Sequence, residues 1–329
     1  NYEAIINYWK GEGSLPSVAN AIQGLSQLTT DLLIENNVFY KDVIDAVIRQ
    51  PQDETHVPFA DHNIPGVVYL SDYDLGSNGI AYYDVDYANY TLSTGENFQP
   101  WNSGWTYRND GVDIQTNSDA TNSNGYHVGY TNTNEWMKYT VNISETGFYN
   151  LKLRYATQQS GAKIKFFIND VDIAGNVSLG NTGGWNNFVN HSIFNAFIEA
   201  GTHVLKVQVD GNTEFNMSSI EFTNSTDEIP SFSVLSASTN NDEQSLNIVL
   251  NHPMTNQSLS NDLFEVKVNN NSRTLESAEI ASVNSRLITL NLSEYLFYQD
   301  EIEVSYDGAI ITSIYNYTLD AFQDLFVEN

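Results

Sequence analysis

Apolar residues recur at helical spacing along residues 1–50, and this pattern predicts two or three amphipathic helices. Ser14 precedes the longest apolar stripe as a candidate N-cap, and Pro51 ends the helical region. The stripe consists of Val18, Ile22, Leu25 and Leu32. Helices of this kind do not bury an apolar face alone. They either lean on the domains that follow or form the tail of a truncated catalytic domain, and we prefer the second explanation.

The hydrophobic period changes to two after residues 51–63, which have the prolines and charges of a linker. Short alternating segments with Gly and Asn between them predict an antiparallel β-sandwich over residues 64–223. The alternating segments are 136–143, 150–156, 163–170, 203–211 and 217–222.

A second and shorter linker is predicted at residues 224–230, and the alternation resumes over residues 231–329. About 100 residues with this rhythm predict an immunoglobulin-like β-sandwich. The fold class is therefore mainly β, with two sandwiches behind a short N-terminal helical segment.

The net charge of the chain limits the classes of partner that it can bind. Lys and Arg number 13 against 41 Asp and Glu, which gives a formal net charge of -28. Such a chain repels phosphate backbones and anionic lipid, so we expect no nucleic-acid partner and no membrane partner. It suits a secreted or extracellular protein, including one at the cell surface. The absence of cysteine excludes disulfides, thiolate metal sites and a cysteine nucleophile.

Trp185 stands in the segment NTGGWNNF, between two glycines and two asparagines. These neighbours are typical of a loop, where an indole has no obvious core to enter. The placement raises the question of what Trp185 contacts.

Several ordered segments of the middle domain together resemble a family 6 carbohydrate-binding module over about residues 64–223. The resemblance implies a jelly-roll β-sandwich that binds polysaccharides and is attached to a glycoside hydrolase. The segments are IPGVVYLSDYDLGSNGIAYYDVD, YRNDGVDI, GYHVGYTNTNEWMKYTV, GFYNLKLRYA, NTGGWNNF, AGTHVLKV and FNMSSIEF.

The resemblance also implies a site in the loops at one edge of the sandwich. Its residues would be Tyr107 and Trp185, which clamp a sugar ring, and Asn216, which bonds the hydroxyls. The chemistry suits a sugar, because an aromatic face attracts the C–H face of a pyranose and an amide both donates and accepts. The alternative is that Trp185 only plugs its loop onto the end of the sandwich.

Other tryptophans allow two interpretations. Trp105 and Trp101 lie in an insertion before Tyr107, where they extend the sugar platform or fold back to fill the loop. For Trp105 the two explanations stay open, and for Trp101 loop filling is preferred. Trp136 lies within a predicted strand and is expected in the core.

A structural calcium is common in the family, but its early Glu-Ala-Glu strand is replaced here by Tyr69, Leu70 and Ser71. Calcium prefers several hard oxygens, so the metal content stays open. Asp84 and Asp86 form a candidate ligand pair, but a solvated turn is the preferred explanation for them. His127 is expected at the surface of a strand rather than as a ligand.

The sequence contains no motif that identifies a catalytic pair of carboxylates, a nucleophile triad, a zinc site or a phosphate loop. Together with this absence, the resemblance implies a non-catalytic region that anchors a secreted bacterial glycoside hydrolase to β-glucan, xylan or a related β-linked glycan, with a cellulase-like or β-glucanase-like enzyme of family 5 as the candidate. The expected partners are that polysaccharide or oligosaccharide and an upstream catalytic domain. The alternatives are a glycoside hydrolase or lyase active in its own right, and a surface glycan-binding adhesin.

Overall fold

A computed structural model describes residues 2–85, 107–282, 284–308 and 310–329. Its N-terminal region contains α1 (Tyr2–Trp9), α2 (Val18–Asp31), a 3-10 turn (Ile34–Asn36) and α3 (Lys41–Ile48). Ser17, rather than Ser14, caps α2, because its side chain accepts a hydrogen bond from the amide of Asn20 across 3.2 Å. None of the helices in the described ranges is long and apolar enough to cross a membrane.

The apolar stripe of α2 is exposed. Val18 is 75% exposed and Ile22 62% exposed, and Leu25 and Leu32 are exposed as well. On α3 the usual arrangement is reversed, because its buried residues are Asp42 and Asp45. The polar face of α3 therefore lies against the protein and its apolar face points to solvent.

The middle of the chain forms two facing β-sheets. Their strands are β1 (His62–Ile64), β2 (Gly66–Tyr69), β3 (Tyr82–Tyr83), β4 (Ile114–Thr116), β5 (Tyr126–Val128), β6 (Trp136–Ile143), β7 (Gly147–Ala156), β8 (Ala162–Ile168), β9 (Val171–Asp172), β10 (Val177–Leu179), β11 (Val189–Ile198), β12 (Gly201–Val209) and β13 (Asn216–Asn224). One sheet has the order β1-β6-β12-β8-β10, with β3 on β6 and β9 on β8. The other has the order β11-β7-β13-β5-β4, with β2 on β13.

Alternation along each strand fills the space between these sheets. In β6 the residues Met137, Tyr139, Val141 and Ile143 are buried, and the residues between them face outward. They join one core with the inward side chains of β7, β8, β12 and β13. The predicted mainly β fold with a sandwich is confirmed.

The C-terminal region is a second sandwich, which consists of two four-stranded sheets around a core of its own. One sheet has the order β14-β15-β19-β18 and the other β17-β16-β20-β21. The strands are β14 (Val234–Thr239), β15 (Ser245–Leu250), β16 (Phe264–Val268), β17 (Asn271–Arg273), β18 (Leu275–Ile280), β19 (Leu287–Leu292), β20 (Ile302–Tyr306) and β21 (Phe322–Val327). A 3-10 turn at Asn261–Leu263 precedes β16. The specifically immunoglobulin-like topology stays a prediction.

Arg286 joins the two sandwiches. Its buried guanidinium donates to the backbone carbonyls of Phe197 and Asp172 in the middle domain, at 3.1 Å each, and to Leu250 O in its own domain at 2.8 Å. Burial lowers the pKa of Arg286 to about 10. The hydrogen bonds of this one guanidinium to carbonyls of both domains fix the two sandwiches relative to each other.

Candidate carbohydrate site

The loop that carries Trp185 is tied to the end of β7. Thr182 donates from its backbone and its hydroxyl to the carbonyl of Thr157, both at 2.9 Å, and its Oγ1 accepts from the Thr157 amide at 2.9 Å. Gly183 has φ +84, a conformation that favours glycine, so the chain can turn before the indole. Trp185 is half-buried at this turn. The loop is thus fixed before any ligand arrives.

Asn216 lies directly beneath this loop at the start of β13. Its Nδ2 donates to the backbone carbonyl of Trp185 across 2.8 Å, and only 6% of the residue is exposed. Gly129 leaves the space that the side chain occupies, because a Cβ at Gly129 would lie 2.7 Å from Asn216 Oδ1. The bond to Trp185 uses one of the two amide hydrogens of Asn216, which leaves further donor and acceptor capacity for sugar hydroxyls.

Two side chains that the sequence analysis missed border the same place. Gln115 Nε2 donates to the hydroxyl of Tyr130 across 3.3 Å, and Gln115 Oε1 lies 3.7 Å from the Cβ position of Gly129. Tyr130 follows Gly129 in the segment GYHVGY, which was the available signal. Together with Asn216, these groups give the edge a set of amide and hydroxyl groups suited to a polyhydroxylated ligand.

Tyr107 is held on three sides. Its ring stacks on Tyr126 with centroids 4.3 Å apart, and the edge of Phe59 meets it at 6.0 Å. Its hydroxyl donates to Asp72 Oδ1 across 2.5 Å, and burial of Asp72 raises the pKa of that carboxyl. The ring remains 37% exposed.

Tyr107 and Trp185 are linked through β5 rather than by direct contact. Tyr126 starts β5, and Gly129, beside Asn216, lies three residues further along, about 10 Å at the rise of a strand. The structure therefore brings Asn216 and Trp185 together at one edge and places Tyr107 further along it. The clamp of one sugar ring between Tyr107 and Trp185 stays a prediction. Trp105 and Trp101 lie outside the described residues.

Two expectations about neighbouring aromatics are wrong. Trp136 is not in the core: it lies on the outer side of β6, stacked on Tyr83 with ring centroids 6.4 Å apart and with Lys138 Nζ 5.0 Å above it. The alternation that buries Met137 points Trp136 outward.

His127 is not a surface residue. Its side chain is buried under Phe188, whose ring meets it edge-on at 5.4 Å. Burial lowers the pKa of His127 to about 4, so the ring is neutral near pH 7.

The described residues give calcium little to bind. Leu70 is fully buried where the family has a strand rich in carboxylates, and the neighbouring Asp72 already accepts from Tyr107 and from Asn124. Asp84 is buried rather than placed in a solvated turn, and Asp86 lies outside the described residues. Within the described ranges no three His, Asp or Glu residues form a group that could hold a metal ion. We therefore assign no step to a metal.

Comparison with known sequences places this edge in context. Residues 105–224 match the family model for "Carbohydrate binding module (family 6)". β-Agarase AgaA of Microbulbifer thermotolerans is 31% identical over 101 residues, which are 30% of this chain and 21% of that protein. Cycloisomaltooligosaccharide glucanotransferase of Niallia circulans is 30% identical over 103 residues, which are 31% of this chain and 10% of that protein. The chain thus spans about a fifth and a tenth of these relatives.

Solved structures give similar matches. The C-terminal CBM6 of LamC, a marine laminarinase from Zobellia galactanivorans, is 27% identical with a TM-score of 0.31, covering 34% of this chain and 88% of that one. A β-1,3-glucan-binding CBM6 from Bacillus halodurans is 18% identical with a TM-score of 0.35, covering 50% and 98%. On the family match, the middle of this chain contains a family 6 carbohydrate-binding domain, and the enzymes that share it are related to glycoside hydrolases.

Proposed function

We propose that the middle domain binds a β-linked glycan, such as a β-glucan or xylan, at the loop edge that carries Trp185 and Asn216. One observation carries the proposal: the Asn216 amide holds the Trp185 backbone at 2.8 Å, which sets an indole beside a polar side chain with hydrogen-bonding capacity left over. An aromatic face next to an amide is the combination that recognises a pyranose, because it serves both the C–H face and the hydroxyls.

Tyr107 is the second wall of the proposed site. Its stack on Tyr126 and its bond to Asp72 restrict the ring, so little conformational entropy is lost when a sugar packs on the exposed part. The match of residues 105–224 to the family model supports a carbohydrate ligand in general.

Affinity electrophoresis of the whole chain in gels that contain soluble β-glucan, xylan or no polysaccharide tests the proposal. We expect retardation in at least one polysaccharide gel and none in the empty gel. A parallel assay of reducing ends on the same polymers separates binding from catalysis. Equal mobility in every gel contradicts the binding function, and turnover by the purified chain contradicts its non-catalytic character.

We further propose that the helical segment is the tail of a catalytic domain in a secreted glycoside hydrolase, with family 5 as the candidate. The exposed stripe of α2, including Val18 and Ile22, supports this proposal because such a face is stable in water only when another body covers it. The reading frame upstream of Asn1 decides the matter. A catalytic domain there is the expected result, and its absence contradicts the proposal.

A further inference from the structure

The helix α3 and the linker after it contact the loop that carries Tyr107, although neither belongs to the β-sandwich. Asp42 of α3 accepts a hydrogen bond from the backbone amide of Asn109, and the Asn109 side chain donates to Asp42 Oδ1 across 3.3 Å. Asp42 is only 7% exposed in this contact. A carboxylate of the helical segment therefore holds the backbone two residues after Tyr107.

Arg108 joins the same contact from the loop. Its Nε lies 3.7 Å from Asp42 Oδ2, and only 1% of the side chain is exposed. The guanidinium lies between two aromatic rings, 4.2 Å from the centroid of Phe59 and 4.0 Å from that of Tyr73. It also pairs with Asp110 across 2.8 Å. A buried cation with this many partners fixes the loop around it.

Phe59 extends the contact to the ligand-binding ring itself. One face of Phe59 receives Arg108, and its edge meets Tyr107. Lys41 of α3 holds Phe59 in turn, because its Nζ donates to the Phe59 carbonyl across 2.5 Å. The helix, the linker and the Tyr107 loop thus form one connected set of contacts.

The backbone conformation of Tyr107 explains why these contacts matter for the site. Its φ is +68, a left-handed conformation that costs a bulky residue roughly 1–2 kcal/mol. Such a conformation persists where the surroundings over-determine it. Within the sandwich, Asp72 and Tyr126 hold only the side chain of Tyr107. The backbone that follows is held from both sides: the Gly111 amide donates to the Tyr82 hydroxyl of the sandwich across 3.3 Å, and the Asn109 amide donates to Asp42 from outside the sandwich.

We propose that Asp42 and Phe59 are positioning residues of the glycan site, which makes the helical segment a part of the site that sets its affinity. This inference rests on the proposed function, since it takes Tyr107 as a ligand-binding residue. It goes beyond that function because it places determinants of affinity outside the family 6 domain. A body that covers the apolar face of α3 would act on the glycan site through the same contacts.

Hydrogen exchange tests the positioning without any glycan. In the whole chain, Asp42→Ala is expected to raise the exchange rate of the Asn109 amide about tenfold or more, because the acceptor is lost. Asp42→Asn keeps an acceptor oxygen and is expected to restore part of the protection. The matched control is Asp31→Asn, an exposed carboxylate at the end of α2 that bonds only locally to Gln27. Unchanged exchange in Asp42→Ala overturns the inference.

Measurements of glycan binding test the effect of these contacts on affinity. Asp42→Ala and Phe59→Ala are each expected to weaken glycan binding about three- to tenfold, whereas Phe194→Ala, which removes an exposed phenylalanine of β11, is expected to have no effect. Circular dichroism controls for the fold. In a Tyr107→Ala background the Asp42 substitution is expected to cost nothing more, since its effect passes through Tyr107.

The two proposals fail in different ways. A wild-type chain that binds no glycan contradicts the proposed function and, with it, the role of Asp42 in a glycan site, whereas exchange at Asn109 still shows whether Asp42 holds the loop of Tyr107. A wild-type chain that binds, with Asp42→Ala and Phe59→Ala binding equally well, overturns this inference and leaves the proposed function standing. An additive loss in the Tyr107→Ala background also overturns it.

Discussion

Asn216 Nδ2 donates to the backbone carbonyl of Trp185 across 2.8 Å, so the strand β13 supports the loop that presents the indole. The side chain of Trp185 is not needed for this bond, because the acceptor is its main chain. The indole can therefore be removed while the loop keeps its support.

The first prediction concerns Trp185→Ala. We expect glycan affinity to fall about 5- to 150-fold, since a stacked aromatic ring contributes roughly 1–3 kcal/mol, and we expect the melting temperature to change little. Affinity electrophoresis and isothermal titration measure the first effect, and thermal unfolding measures the second. Normal retardation of Trp185→Ala in every gel that retards the wild type would move the site to another surface.

The second prediction uses Gly129, which faces Asn216. Gly129→Ala places a methyl group 2.7 Å from Asn216 Oδ1, so the amide must rotate or shift away from its present position. We expect weaker glycan binding, by roughly 1–3 kcal/mol if the hydrogen bonds of Asn216 are lost. Gly147→Ala is the matched control, because a Cβ there meets nothing within 4 Å. Equal affinity in both variants would exclude Asn216 from the site.

The period of the sequence predicted the strands well, because alternation is set by the pleat of the strand itself. In β6 it correctly buried Met137 and Tyr139, and applied strictly it also points Trp136 outward. What alternation does not reveal is which long-range segment covers a face. His127 is buried, and the ring that packs against it belongs to Phe188, 61 positions later.

The candidate site could be predicted only in part, because contacts between segments distant in sequence build it. Trp185 and Asn216 were named by resemblance, and their hydrogen bond depends on a loop and a strand that are 31 residues apart. Asp42 was not predicted, since an amphipathic pattern implies that the apolar face of a helix is the buried one. In α3 the buried face is polar, and only the tertiary contact with Asn109 and Arg108 shows why.

The third prediction tests the connection between the two sandwiches. Arg286→Met removes three hydrogen bonds to the carbonyls of Phe197, Asp172 and Leu250, and it also removes the cost of a buried charge. We expect a net loss of about 3 kcal/mol in the free energy of unfolding. Because two of these three bonds cross the interface, urea unfolding should also separate into two transitions.

Lys267→Met is the control for that experiment. Lys267 pairs with Asp324 across 3.0 Å at the surface of the C-terminal sandwich, and neither partner is buried. An exposed pair of this kind contributes little to the free energy of unfolding, because solvent screens it. If Arg286→Met unfolds like Lys267→Met, in one transition and at the same urea concentration, the guanidinium does not hold the domains together.

The last prediction concerns acid. His252 is fully buried among aromatic rings of both sandwiches, stacked on Phe232 at 5.3 Å and edge-on to Phe148 at 5.4 Å. Burial, with a smaller effect of the Arg286 charge, lowers its pKa to about 4. The unfolded chain binds the proton with a pKa near 6.5. Protonation therefore favours the unfolded state.

The stability that neutral His252 contributes is complete above pH 6.5 and is lost as the pH falls from there to about 4. The loss reaches about 3 kcal/mol at 1.36 kcal/mol per pKa unit, and His127, with its pKa also lowered to about 4, adds a loss of the same sign. Asp72 and Asp110 act in the opposite direction, because burial raises their pKa and the folded state then holds their protons more tightly. Urea unfolding at several pH values measures the sum. His252→Phe, which fills the same space without a titrating group, should unfold with a shallower dependence between pH 6.5 and 4, and an unchanged dependence would show that the pKa of His252 is the same in the folded and unfolded states.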